Sequence, residues 1–145
     1  MRIVSIVLSV LLLSGCGLIE EVNQTVDYGK KTTQYIETMI GFQNDVSGYL
    51  NQDQLTTEDL EQLKGIMDDI EAEAESFNEI EPPSIAEGVH GQIENQNDQI
   101  LQAIDEANSQ IDQGEFDPNA FQDLEIVQSL QKLNEYKDQV DQFMN

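Results

Sequence analysis

Cys16 and His90 are the two side chains whose type and surroundings point to chemistry, and they point in different directions. Cys16 is the only cysteine among 145 residues and closes the run Leu13-Ser14-Gly15-Cys16. Arg2 supplies a minimal positive start, and Ile3 to Leu13 are apolar apart from Ser5 and Ser9. A positive n-region, a short apolar stretch and small residues before a cysteine read as a bacterial secretion signal with a lipoprotein cleavage site. The apolar stretch falls well short of the ~20 residues that a spanning helix needs. Met1 to Gly15 is therefore read as a removed leader. Cys16 is expected to carry a diacylglycerol and to make the membrane a partner through that anchor.

His90 is the only histidine, so any Ser–His–Asp arrangement has to use it. No glycine-flanked serine elbow and no phosphate-binding glycine loop accompanies it. Ser84 is better explained as a helix cap. His90 and Glu94 lie four apart on one helix face, with Glu87 one turn earlier, and zinc accepts such ligands. The preferred reading is plainer: a surface histidine beside surface acids. For calcium, Asn51-Gln52-Asp53 begins like an EF-hand loop and fails at Leu55 and Thr56. The expectation is no enzyme, no cofactor and no metal site. A cation-dependent (zinc or calcium) binding protein and a hydrolase using His90 stay open as alternatives.

Charge narrows the partners. The chain has 29 acidic against 6 basic residues, a formal net charge of −23. Every acid lies beyond Gly15, and losing Arg2 with the leader makes the remainder more negative still. With no basic patch to reverse the field, the chain repels nucleic acid and anionic lipid headgroups, and nucleic-acid binding is set aside. The acids are scattered around the helical segments, which favours a solvated surface over capture of cations or of a basic partner. With Cys16 lipidated, no thiol remains for a disulfide, so stability must come from packed apolar faces.

Four segments of helical period supply those faces. From about Glu20 to Leu50, Tyr35, Met39, Phe42, Val46 and Tyr49 recur at 4-3-4-3 spacing, widened by Ile36, Ile40 and Leu50, with Tyr28-Gly29 a candidate bend. Next, Leu60, Leu63, Met67, Ile70, Ala74 and Phe77 form a 3-4 seam, capped by Thr56 or Thr57 and stopped near Ile80 by Pro82-Pro83. Ser84-Ile85-Ala86-Glu87 matches a capping box for a third helix to about Gln113, striped by Ile85, Val89, Ile93, Ile100, Ile104, Ala107 and Ile111 and ended by Gly114. Gln96-Asn97 interrupts that stripe, either as a buried polar layer that sets register or, preferably, as a partly exposed step. Asp117-Pro118 opens the fourth helix, with Phe116 and Phe121 as a hydrophobic staple and Leu124, Val127, Leu130, Leu133, Val140 and Phe143 as its face.

Short connections and the absence of period-two alternation predict an all-α, antiparallel up-down four-helix bundle. The alternative is a three-helix bundle with residues 17–29 as a flexible N-terminal stalk. Residues 16–19 are read as a lipidated tether and 20–145 as one helical domain.

Leu13-Ser14-Gly15-Cys16, Glu21-Val22-Asn23 through Asp27-Tyr28, and Glu81-Pro82-Pro83 with Ile85-Ala86-Glu87 together resemble a family of small predicted lipoproteins of unknown function from low-GC Gram-positive bacteria. The resemblance covers most of the chain beyond the leader. It implies a one-membrane envelope and a lipid-anchored position on the outer face of the cytoplasmic membrane. It carries over no site residue except Cys16. The expected role is non-catalytic, either binding an envelope protein or polymer or acting as a spacer. An apolar groove edged by Tyr35, Tyr49 and Leu101 would favour binding, although ordinary core margin is the simpler account of those residues.

Replacing Cys16 by serine is expected to abolish lipidation and to leave an uncleaved or released form. Two acyl chains provide stable attachment where one is marginal. Mass spectrometry of the native N-terminus decides this, and an unmodified Cys16 would overturn the assignment.

Overall fold

The computed structural model describes residues 15–52, 54–122 and 125–144. The leader up to Ser14, together with Asp53 and Leu124 of the sequence reading, lies outside them. The elements in order are α1 (Gly15–Leu50), α2 (Thr57–Asn78), a 3-10 turn (Ser84–Ala86), α3 (Glu87–Gln113), α4 (Pro118–Gln122) and α5 (Glu125–Met144). Among the described residues there is no strand. α1 packs on α2 and α5, and α3 packs on the same two. The four long helices thus form the expected up-down bundle, with α1 and α3 a parallel diagonal pair. The short α4 leads towards α5 and lies against α1.

The described part of α1 runs from Gly15, so residues 16–19, expected as a tether before a helix from about Glu20, are helical. It is 36 residues long, about 54 Å at 1.5 Å per residue. Val22, Asn23 and Gln24 are exposed, and close burial begins at Tyr28. The three-helix alternative fails because four long helices pack together and residues 17–29 are a continuous part of α1, whose core residues include Tyr28, Tyr35, Ile36, Met39 and Val46. The helix runs unbroken through Gly29. A side chain there would meet Met144, with Sδ 2.5 Å from the Cβ position, so glycine lets the end of α5 close on α1.

The α2 seam is buried at Leu63, Met67, Ile70, Ala74 and Phe77, as its spacing predicts. Thr56 caps it, its hydroxyl accepting from the Asp59 N–H at 3.2 Å while the Asp59 carboxylate accepts from the Thr56 N–H at 2.8 Å. The start of α3 departs from expectation. Ser84 caps nothing, because the Ala86 N–H donates to the Pro83 carbonyl at 2.8 Å and winds residues 84–86 into the 3-10 turn. That tight turn places Glu87 at the first α-helical position, beyond its expected capping role, and turns Ile85 outward at 63% exposure. Val89, Ile93, Ile100, Ile104 and Ala107 are buried as predicted.

Gly114 ends α3 with φ +73°, a left-handed conformation that glycine adopts without steric cost. The N–H groups of Gly114 and Glu115 donate to Ile111 and Gln110 at 3.0 and 2.9 Å, closing the last turn. Asp117 then caps α4 by accepting from the Asn119 N–H at 2.9 Å. The Phe116 and Phe121 rings meet at 5.2 Å, the staple read from the sequence.

Gly114→Ala puts a Cβ on that left-handed residue. It is expected to lower unfolding stability by about 1 kcal/mol, with an unchanged denaturant slope in urea melts.

Candidate functional site

Two tyrosines of α1 cross the bundle interior to polar groups of α3. The Tyr28 hydroxyl lies 3.0 Å from His90 Nδ1, and the Tyr35 hydroxyl donates to Asn97 Oδ1 at 2.6 Å. Tyr28 and Tyr35 are one heptad apart, as are His90 and Asn97. Parallel helices preserve that offset, so the two pairs are rungs about 10 Å apart. Phe77 of α2 sits between them, stacked on Tyr35 at 4.4 Å and tilted over His90 at 4.9 Å. Asn97 also donates to Asn78 Oδ1 at 2.7 Å and reaches the Ala74 carbonyl at 3.5 Å, so one carboxamide ties three helices.

Burial sets the electrostatics of both rungs. Desolvation raises the Tyr28 and Tyr35 phenols above their ordinary range, so both remain protonated donors. The Thr32 hydroxyl approaches Tyr28 and offsets part of its shift, yet stops short of hydrogen-bond geometry and is buried without a partner. Desolvation lowers His90 below its ordinary value, partly offset by the Glu94 carboxylate 3.5 Å from Nε2.

Above the first rung is an open cleft of about 810 Å³. One wall is a single face of α1, with Gln24, Asp27, Tyr28 and Lys31. The other is the α2–α3 connection, from Ile80 through Pro82-Pro83 to Ser84 and Glu87. A narrower furrow of about 170 Å³ continues from it between α1 and α2, sharing Lys31 and Ile80 and passing Tyr35, Glu73 and Phe77 to Thr38. From Gln24 to Thr38 the groove runs about 21 Å along α1.

These positions revise several expectations. His90 is not a surface histidine: it is 4% exposed, because a helix face that looks half polar in sequence is roofed by Tyr28 and Phe77. Glu94 does reach it, whereas Glu87 is exposed and turns to the cleft. Both ring nitrogens face protein partners, and among the described residues no three His, Cys, Asp or Glu groups gather to hold a metal. Gln96 and Asn97 are both buried and not a partly exposed step; Tyr35 and Asn78 satisfy the Asn97 amide, whereas the Gln96 amide oxygen has no hydrogen-bond partner. Of the three groove candidates only Tyr35 lines the groove. Tyr49 is half-buried and donates to Gln62 at 2.7 Å, and Leu101 packs at the core margin. Sequence reading missed Tyr28 as a site residue. The signal was there: tyrosines at a heptad step on α1, and His90 and Asn97 at the same step on α3.

Cys16 lies in the first turn of α1. Among the described residues no helix is long and apolar enough to cross a membrane. A family described as "Family of unknown function (DUF6376)" matches residues 28–143, a span that includes both rungs and most of the groove. A Bacillus subtilis (strain 168) protein, "Uncharacterized lipoprotein YybP", is 24% identical over 127 residues, covering 88% of this chain and 86% of that one. The relative's name agrees with the reading of a lipoprotein, and the family's description with one of unknown function. No solved structure matches the chain.

Tyr35→Phe removes a 2.6 Å bond and leaves the buried Asn97 oxygen without its donor. It is expected to cost about 1–3 kcal/mol in denaturant unfolding. Tyr49→Phe, at the exposed Gln62 pair, is expected to cost well under about 1 kcal/mol in the same melts.

Proposed function

The chain belongs to the family of unknown function DUF6376, and from that premise we propose that it is a lipid-anchored, non-catalytic recognition protein of the cell envelope. Its place is the outer face of the cytoplasmic membrane, held by a diacylglyceryl group on Cys16. The observation that carries this reading is the continuous groove between α1 and the α2–α3 connection. Its length, about 21 Å, suits an extended segment of roughly six residues at 3.3 Å each. Carboxylates stand on both walls, Asp27 on α1 opposite Glu73, Glu81 and Glu87, with Lys31 as the single cation. That charge balance favours a basic segment of an envelope protein over an anionic polymer.

Recognition is favoured over catalysis because the imidazole does not line the groove and lies behind the Tyr28 and Phe77 rings that do. The anchor also sets a useful height. Gln24 and Lys31 lie about 12 and 22 Å along α1 from Cys16, beyond the ~10 Å over which headgroup charge acts at 0.1 M salt. An envelope partner can therefore be met without interference from the membrane surface.

The test measures binding of an extended Lys-rich octapeptide and of its Glu-rich counterpart to two double variants. Asp27→Asn with Glu87→Gln neutralises the groove, and Asp68→Asn with Glu75→Gln removes equal charge from the opposite face of α2. The groove pair is expected to weaken the basic peptide about tenfold, roughly 1.4 kcal/mol, and the control pair far less. Equal loss in both would reduce the effect to general charge, and no binding of the basic peptide would overturn the reading.

A further inference from the structure

Beneath the groove, the surroundings of His90 define its proton positions. α1 presents the Tyr28 hydroxyl 3.0 Å from Nδ1, and α3 presents the Glu94 carboxylate 3.5 Å from Nε2. α2 contributes the uncharged Phe77 ring, and among the described residues no charged group of α2 or α5 acts on the imidazole. A carboxylate only accepts, so its approach to Nε2 favours the neutral tautomer with the hydrogen on Nε2. Nδ1 is then the acceptor, and the Tyr28 hydroxyl donates to it.

A second proton on the ring reverses that order. Nδ1 becomes a donor, the Tyr28 oxygen must accept, and the phenolic hydrogen needs a new acceptor. Thr32 Oγ1 is one helical turn along α1, fully buried beside the Tyr28 hydroxyl, and makes no hydrogen bond of good geometry. A buried, unsatisfied hydroxyl is costly and calls for an explanation.

We propose that Thr32, Tyr28, His90 and Glu94 form a proton-operated switch under the groove, in which protonation of His90 turns the Tyr28 hydroxyl from α3 to Thr32. In the neutral state the Tyr28–His90 bond ties α1 to α3 at the groove floor. In the protonated state the imidazolium pairs with Glu94 and donates to a Tyr28 whose own hydrogen points along α1. Thr32 is thus the acceptor held for the second state.

The direction with pH follows from burial. His90 titrates below its unfolded value, so the unfolded chain binds the proton more readily. The stability that neutral His90 contributes is complete above the unfolded pKa of about 6.5, and it is lost as pH falls through the lower folded value. Neutralising the surplus carboxylates relieves self-repulsion and acts in the opposite sense.

One histidine in the chain makes its imidazole resonances self-assigning. The experiment follows their nitrogen shifts against pH in the full chain purified in detergent, beside Thr32→Val and His90→Gln. The neutral ring is expected to carry its hydrogen on Nε2 and to titrate below a free histidine. Thr32→Val, nearly isosteric and removing an unsatisfied group, is expected to move the midpoint to lower pH while leaving the neutral tautomer unchanged. His90→Gln is expected to abolish the fall in melting temperature below neutral pH. A midpoint at or above that of free histidine, or one that Thr32→Val leaves in place, would overturn the switch. So would an Nδ1-protonated neutral ring.

Discussion

The Asn97 carboxamide is the constraint on which the rest of this bundle depends. It accepts from Tyr35 across the core and donates to Asn78 on α2, while lying fully buried. An apolar seam tolerates sliding, because one leucine layer packs much like the next. A buried amide does not, because any shift of α1, α2 or α3 leaves it unpaired in a medium where that costs several kcal/mol. The register of three helices is therefore set by one side chain, and the Tyr28–His90 rung a heptad away takes its alignment from it.

The groove follows from that register. With Tyr35 locked to Asn97, the α1 face carrying Gln24, Asp27, Tyr28 and Lys31 stands opposite the α2–α3 connection. That connection cannot fold down to fill the space. Pro82 and Pro83 hold it extended, and the 3-10 turn after them tightens the entry to α3. Gly29 makes the complementary adjustment on another face of α1, where it admits Met144 and closes the bundle end against α5. The same end of the molecule is thus closed towards α5 and open towards α2.

Charge plays a smaller part in holding the fold than its amount suggests. Lys64 bridges to Asp112 at 2.7 Å and Lys137 to Glu37 at 2.6 Å, each joining two helices at the surface. Exposed pairs of this kind contribute little to stability, because solvent screens them and ordering two long side chains offsets the attraction. The burial of apolar faces, from Leu63 and Ile70 to Ile100 and Leu130, supplies the cohesion.

Much of this was legible in the sequence, because it rests on local physics. The apolar period identified each long helix, the Thr56 cap and Gly114 stop marked ends, and Phe116 with Phe121 announced the staple. Short connections between four such helices leave few arrangements other than an up-down bundle. The leader and the role of Cys16 are expectations of the same local kind, read from a linear order of residue types. What the sequence could not decide was the fate of polar residues on the helix faces. Helical period places His90 and Asn97 on a stripe, but the partners that make their burial tolerable are tyrosines 62 residues earlier. Ser84 shows the converse. Its local match to a cap was overruled by a bond to the Pro83 carbonyl, and Ile85 was turned out of the core with it. Burial of a polar group depends on which helix lies against it and in what register. That is a property of the assembled bundle and of no single segment.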